Sequence, residues 1–342
     1  MPMLNRAECA ALRGLAIIGI FLHNYCHWLP GIVRENEYQF FQRNVDGLGR
    51  AISNPDWLLP MHIVSFFGHY GVPVFLFLSA YGLEMKYGNS DRTDGIWSFL
   101  RKHFVKLFMM MIVGFALFTA VDAITPGAHH YKLLDVVSQL LMFNNVLPHP
   151  NRIIWPGPYW FFGLMMQLYI VYRLLLYRRH WGWTVALVVV CMIVQMSCGP
   201  ESEALNRWRY NCIGGMLPFG FGLLCARFPM PLDNKLYSAL FTIISAIFVF
   251  NESMSYYSWF FVPVFICSLC FSLVKLLPLW LLRPLEWMGG ISAALFVCHP
   301  ITRKIFIPIS KQGDMYTGLL LYIVASIVLA MMIETFMSMK KK

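Results

Sequence analysis

The stretch that decides the fold runs from Leu12 to Trp28 and reads LRGLAIIGIFLHNYCHW. Between Arg13 and His23 every residue is apolar or glycine. With its flanks, the run is long enough to cross a bilayer, which takes about 20 mostly apolar residues in a helix. Ionisable groups at membrane depth are costly and usually mark functional sites. The stretch therefore predicts a membrane-spanning helix that carries part of a site.

The composition of the whole chain agrees with this. Of its 342 residues 58% are hydrophobic and 13% are charged, whereas a soluble domain has about 25% charged residues. We expect an all-α, polytopic transmembrane bundle of about ten helices, forming one integral-membrane domain over 1–342. The predicted spans are 10–29, 63–85, 104–122, 159–177, 182–198, 211–226, 236–251, 257–275, 287–307 and 316–337.

The net charge of +10 comes mostly from Lys and Arg at the ends of apolar runs. This pattern indicates positive-inside bias rather than nucleic-acid binding. If the N-terminus is cytoplasmic, the inner segments hold 16 Lys and Arg, including Arg92 and Lys340 to Lys342, and the outer segments hold 10. Both termini are therefore predicted to be cytoplasmic.

Two long connections, about 30–62 and 123–158, then lie outside. They are rich in aromatic and amide residues, as in NEYQFFQRN and NNVLPHPNRIIWPGPYW. Loops of this length in a compact protein are usually functional or disordered. Rings that stack and amides that bond to hydroxyls would suit a sugar, although interfacial belts use the same aromatic residues.

Five segments, in order along the chain, resemble the acyltransferase-3 family of integral-membrane acyltransferases. They are LRGLAIIGIFLH (12–23), GVPVFLFLSAYGL (71–83), FLRKHFVKLF (99–108), YWFFGLMMQLYIVYRLL (159–175) and LEWMGGISAALFVCHP (285–300). The resemblance implies transfer of an acyl group, commonly acetyl from acetyl-CoA as co-substrate, to a hydroxyl of a carbohydrate or cell-envelope glycan. It also implies a bacterial cytoplasmic membrane. We expect no bound cofactor and no metal, since the nine cysteines lack metal-ligand spacing.

The resemblance makes Arg13 and His23 the expected catalytic pair. In the family the two residues share one helix face, whereas here they are ten residues apart and about 80° out of alignment in a regular helix. A local π- or 3₁₀-like irregularity would restore the alignment. Alternatively His27, which is about 40° off Arg13, does part of the work.

The remaining candidates have ordinary alternatives. Arg101, Lys102 and Lys106 would neutralise the phosphates of acyl-CoA, or they form a positive-inside cluster. The acceptor-site candidates are His299, His27, Trp160 and Gln167, although a Trp near a span end is often a belt residue.

The rival hypothesis is a transporter or flippase for an envelope sugar or lipid, in which the same polar residues would line the pathway. The order of the five motifs and the lack of a visible half-repeat favour the enzyme.

Overall fold

The computed structural model of the protein describes residues 3–88 and 94–339, and within these ranges the secondary structure is helical without a strand. The all-α prediction is confirmed. The helices are α1 Arg6–Cys26, α2 Gln42–Ser53, α3 Leu59–Phe67, α4 Gly71–Tyr87, α5 Ile96–Ile124, α6 Leu133–Leu140, α7 Pro150–Ile153, α8 Trp160–Val171, α9 Trp181–Met196, α10 Glu203–Arg209, α11 Cys212–Arg227, α12 Lys235–Glu252, α13 Tyr256–Trp259, α14 Val262–Leu276, α15 Leu279–Gly290, α16 Ser292–Lys311 and α17 Met315–Met339.

In the described ranges six helical segments are long and apolar enough to cross a membrane. They are Arg6–Cys26, Leu59–Tyr87, Ile96–Ile124, Gly157–Leu176, Lys235–Glu252 and Met315–Met339. The pair α15–α16, bent by 71°, would make a seventh, and α9, α11 and α14 are shorter apolar helices. Each of the ten predicted spans falls on one of these elements, so the chain is an integral-membrane protein. Arg92 and Lys340 to Lys342, which entered the charge count, lie outside the described residues.

Helix α1 is the central element of the bundle. It begins at a capping box, in which the Glu8 amide donates to Asn5 Oδ1 at 2.9 Å and the Asn5 amide donates to Glu8 Oε2 at 2.8 Å. Such a cap stabilises a helix start by about 1 kcal/mol. The helix then packs against α3, α4, α15 and α16.

The crossing of α1 and α15 depends on two glycines. A Cβ on Gly14 would lie 2.0 Å from the Leu285 carbonyl oxygen, and one on Gly289 would lie 1.9 Å from that of Ala10. Because these contacts are to backbone, no side-chain rotation could relieve them. The two helix backbones therefore touch along the half of α1 that carries Arg13.

Glycines also set the contact between α1 and the 3₁₀ turn Gly68–Tyr70 that joins α3 to α4. A Cβ on Gly68 would lie 2.5 Å from the Gly19 carbonyl oxygen and 2.7 Å from His23 Cβ. The turn thus packs directly against His23 and determines the position of the His23 Cβ atom.

The predicted outer loops are folded rather than open. The 30–62 connection contains α2 and the first residues of α3, and the 123–158 connection contains α6 and α7. Asn36 organises the first of them: its Oδ1 accepts from the Phe41 amide at 3.1 Å and from Asn44 Nδ2 at 2.9 Å. The Phe40 amide then donates to the Pro200 carbonyl at 2.9 Å, which fastens the segment to the connection between α9 and α10.

The second connection is held by the buried carboxylate of Asp122. It accepts hydrogen bonds from the His129 amide at 2.8 Å and from the Tyr131 hydroxyl at 3.1 Å, and it pairs with Lys304 of α16. Both connections are therefore anchored at the end of the bundle where α1 finishes, which we call the His27 end. The opposite end is called the Arg13 end.

Candidate functional site

His23 lies one turn before the end of α1 and is only 2% exposed. Its Nδ1 is 2.7 Å from the Ser65 carbonyl oxygen of α3. Since a carbonyl only accepts hydrogen bonds, Nδ1 carries a proton. In the neutral form of the ring, Nε2 is then the nitrogen that can act as a base or a ligand.

His27 follows α1 directly and repeats this arrangement one turn further. Its Nδ1 is 3.0 Å from the His23 carbonyl oxygen, and the two rings are 4.6 Å apart between centroids. One ring nitrogen of each histidine and one carboxylate oxygen of Glu35 all lie within 4.8 Å of one another. The Oε2 atom of Glu35 is buried without a hydrogen-bond partner. Two imidazoles and a carboxylate thus converge at the end of α1.

A cavity of about 190 Å³ opens beside this cluster. His27 and Glu35 line it, whereas His23 lies behind His27. The other lining residues come from α1, from the two connections and from the helices around them: Ile20, Asn24, Trp28, Glu37, Tyr38, Val72, Asn151, Ile154, Trp155, Gly157, Pro158, Trp160, Phe161, Tyr210, Phe296 and Arg303.

Aromatic rings form one wall of the cavity. Tyr38 and Tyr210 stack with their ring centroids 3.9 Å apart, and Trp160 meets Tyr38 edge-on at 5.5 Å. Rings arranged in this way offer flat apolar faces with polar edges. The cavity therefore combines stacking surfaces with hydrogen-bonding groups.

Arg303 supplies the positive charge of the cavity. This largely buried guanidinium donates from one nitrogen to the Asn24 carbonyl at 3.2 Å and to Asn24 Oδ1 at 3.3 Å, and it lies 5.3 Å from the Trp28 ring centroid. Among residues 3–88 and 94–339 no carboxylate lies within ion-pair distance of it. Its charge is thus available to an anion or to a developing oxyanion.

Glu37, in the connection after α1, faces the same cavity. Burial and the nearby Glu35 raise the pKa of Glu37 to about 8, so its carboxyl group is largely protonated at neutral pH. A protonated carboxyl group can donate as well as accept hydrogen bonds. Glu37 also lines a smaller cavity of about 40 Å³, together with His69 and Arg209.

His299 of α16 lies near the cluster without lining the main cavity. It is fully buried; its Nδ1 is 3.2 Å from the Leu295 carbonyl oxygen, and its Nε2 has no hydrogen-bond partner. Its ring is within electrostatic range of both His23 and Arg303. It stands one helical turn before Arg303, which lines the cavity.

The two acceptor-site candidates of α8, Trp160 and Gln167, have different surroundings in the structure. Trp160 lines the cavity. Gln167 does not: its Nε2 donates to Asn145 Oδ1 at 2.8 Å and its Oε1 accepts from the Cys212 amide at 3.0 Å. Both ends of this amide are used to join α8 to its neighbours, so Gln167 has a structural role in this arrangement.

The side chains of Arg13 and His23, the predicted catalytic pair, do not lie together in the structure. Helix α1 is continuous from Arg6 to Cys26, without the irregularity that would align the two residues. Ten residues correspond to about 15 Å of helix rise. The Arg13 side chain is exposed at the opposite end, within electrostatic range of Tyr169.

The predicted donor residues lie at the Arg13 end. Arg101, Lys102 and Lys106 of α5 are exposed there. The ring of His103, in the same helix, is tilted against that of Tyr169 with the two centroids 4.4 Å apart, and Tyr169 is also within electrostatic range of Arg13. Arg13 thus belongs with the basic cluster rather than with the histidines.

Sequence reasoning did not identify Glu35, Asn24 or Arg303 as site residues. The signal for Glu35 was its place in a long loop rich in aromatic and amide residues, and Arg303 follows His299 by four residues on one helix face. Which of these residues meet depends on how the loop folds back over α1 and on how α16 packs against it.

Comparison with family models shows a match over residues 8–335 to a model described as an acyltransferase domain, that of the acyltransferase-3 family. The match covers nearly the whole chain. Comparison with curated proteins and with solved structures gives no match.

Proposed function

Because the chain belongs to the acyltransferase-3 family, we propose that it transfers an acetyl group from acetyl-CoA to a hydroxyl of a carbohydrate or cell-envelope glycan. One observation carries the proposal. At a cavity that offers aromatic faces and polar groups together, two imidazoles whose Nδ1 atoms contact backbone carbonyls stand one behind the other: His27 lines the cavity and His23 lies behind it.

The acceptor would occupy the cavity at the His27 end. A sugar ring can lie against Trp160 or Tyr38, while its hydroxyls bond to Asn24 and Arg303. Ligand sites commonly combine apolar walls with a few placed polar groups. The cavity also faces the two long connections, where a glycan chain would enter.

His23 would act as general base. Its Nε2 takes the proton of the acceptor hydroxyl while that oxygen attacks the thioester carbonyl and forms a tetrahedral intermediate. The carbon–sulfur bond then breaks, and the protonated imidazole returns its proton to the CoA sulfur. The guanidinium of Arg303 would stabilise the intermediate oxyanion.

The donor would bind at the Arg13 end. Arg101, Lys102, Lys106 and Arg13 present positive charge to the CoA phosphates. The extended pantetheine arm would then carry the thioester along the about 15 Å of α1 that separates Arg13 from His23. With both termini cytoplasmic, CoA binds from inside and the glycan is modified on the outer side of a bacterial cytoplasmic membrane.

The proposal is tested with the purified protein in lipid nanodiscs. Acetyl-CoA is supplied with a panel of glycan acceptors, and release of free CoA thiol is followed in parallel with the mass of the glycan. We expect acceptor-dependent thiol release and a mass increase of one acetyl group. Thiol release that is independent of every acceptor, together with unchanged glycans in cells lacking the gene, would refute the assigned reaction.

A further inference from the structure

His23, His27 and Glu35 meet the requirements of a metal site that the sequence did not predict. In the described ranges they form the only group of three or more His, Cys, Asp or Glu residues whose ligand atoms converge, all within 4.8 Å of one another. A tetrahedral zinc ion bound at about 2.0–2.1 Å would hold its ligand atoms about 3.3 Å apart. Small side-chain rotations would close the difference.

The hydrogen bonds around the two imidazoles are those that prepare a histidine to bind a metal. In each ring Nδ1 donates to a backbone carbonyl, of Ser65 for His23 and of His23 for His27. Metal-binding histidines almost always donate their other N–H in this way, which fixes the tautomer and the ring orientation. The Nε2 atoms are left as ligands, and the unpartnered Oε2 of Glu35 is left as the third.

The surroundings supply an open coordination position. His27 and Glu35 face the cavity of about 190 Å³, so an ion can enter and a water molecule or a hydroxyl can complete its coordination. Two histidines, one glutamate and one open position form a recognised zinc-binding set. The charges of Arg303 and Arg34, both within electrostatic range of His27, oppose a cation. The carboxylate of Glu35 offsets part of this opposition.

We propose that His23, His27 and Glu35 bind a zinc ion, and that this ion inhibits the enzyme. The inhibitory part rests on the proposed function. Coordination uses the Nε2 lone pair of His23, and a nitrogen whose lone pair is donated to a metal cannot accept the proton of the acceptor hydroxyl. Zinc would therefore act as a reversible inhibitor that competes for the base.

Binding is measured first, independently of activity. The purified full chain is stripped with a chelator and titrated with ZnCl₂ by calorimetry, with MgCl₂ as the hard-cation comparison. We expect one zinc ion per chain and no magnesium binding at the same site, since imidazole ligands suit zinc and not magnesium. His27→Ala and Glu35→Gln should each weaken zinc affinity by more than about 10-fold, because loss of even an outer-shell partner costs about 10–100-fold.

His149→Ala is the matched control. His149 also lies beside a carboxylate, 3.3 Å from Glu203, but this pair is exposed and lacks a third ligand. The control should bind zinc as the unmodified protein does. Absence of stoichiometric zinc binding, or binding that His27→Ala and Glu35→Gln leave unchanged, would overturn the metal site.

Activity is then measured as thiol release against zinc concentration, each variant being normalised to its own metal-free rate. We expect full inhibition that a chelator reverses, with the inhibitory concentration raised in His27→Ala and Glu35→Gln by the same factor as the dissociation constant. Site-specific binding without inhibition would keep the metal site and contradict the base assignment of His23. Loss of activity on chelation would overturn the inhibitory role.

Discussion

Replacing Gly68 with alanine tests whether the position of His23 matters. The new Cβ would lie 2.7 Å from His23 Cβ and 2.5 Å from the Gly19 carbonyl oxygen, whereas ordinary contacts begin at 3.4 Å. The turn and α1 must therefore separate by about 0.7–0.9 Å at this point. A displacement of about 1 Å can cost about 100-fold in rate when it moves a reacting group. We expect Gly68→Ala to lower acyl transfer by about 10–100-fold.

The control for this variant is Gly82→Ala in α4, where a new Cβ would meet nothing within 4 Å. Alanine is favoured over glycine inside a helix by about 0.5–1 kcal/mol, so this variant should be fully active and slightly more stable. Turnover is measured by thiol release, and folding is checked by size-exclusion chromatography and thermal unfolding in detergent. A folded Gly68→Ala protein with unchanged turnover would refute the argument that the Gly68 turn holds the base in place.

Three further outcomes are expected. Arg101→Gln combined with Lys102→Gln should raise the KM for acetyl-CoA by at least about 10-fold and change the acceptor KM little, because each lost charge-assisted contact to phosphate costs about 1.5–3 kcal/mol when buried and less when exposed. In a cysteine-free background, Ser53→Cys should react with an impermeant thiol reagent added outside intact cells, and Ser98→Cys only after lysis, because the charge bias places them on opposite sides. Asp122→Asn should lower the free energy of unfolding in detergent by about 3–5 kcal/mol, since it leaves a buried ion pair without its anion.

Each of these has a matched comparison. Arg43→Gln with Arg50→Gln removes two positive charges from α2 and should leave the KM for acetyl-CoA unchanged; an equal rise would mean that net charge alone matters. Exposed Asp46→Asn should change stability by less than about 0.5 kcal/mol. Equal loss in the two Asp variants would contradict the role given to Asp122, and labelling of Ser98→Cys from outside would reverse the orientation and the CoA side.

The helices of this protein follow from local sequence patterns. Apolar runs of membrane length gave ten segments, and each has a helix in the structure. Bends and breaks within a span do not follow from the apolar pattern. The bend of 71° between α15 and α16 falls at Ile291, directly after the pair Gly289–Gly290, and the sequence pattern does not specify this angle.

The sequence predicted only the part of the site that lies on a single helix. His23 lies in the last turn of α1 and His27 caps the helix one turn later, so their proximity follows from helix periodicity. Glu35 reaches them because Asn36 folds the following loop back over the bundle, and Arg303 does so because α16 packs against α1. Such contacts depend on tertiary structure.

Gln167 was predicted as an acceptor-site residue because it is polar and lies on the same face of α8 as Trp160. In the structure its amide joins α8 to the neighbouring segments, so a polar residue within a membrane helix can serve helix packing alone.

The most direct test of the central claim compares His23→Ala with His27→Ala in acetyl transfer by purified protein, with acetyl-CoA binding measured separately. Loss of a positioned general base typically lowers the rate by about 10²–10⁴-fold. We predict that His23→Ala loses activity by this factor while still binding acetyl-CoA, and that His27→Ala is affected much less. An active His23→Ala protein would contradict the account: if His27→Ala is then inactive the base is His27, and if both variants are active neither histidine is the base.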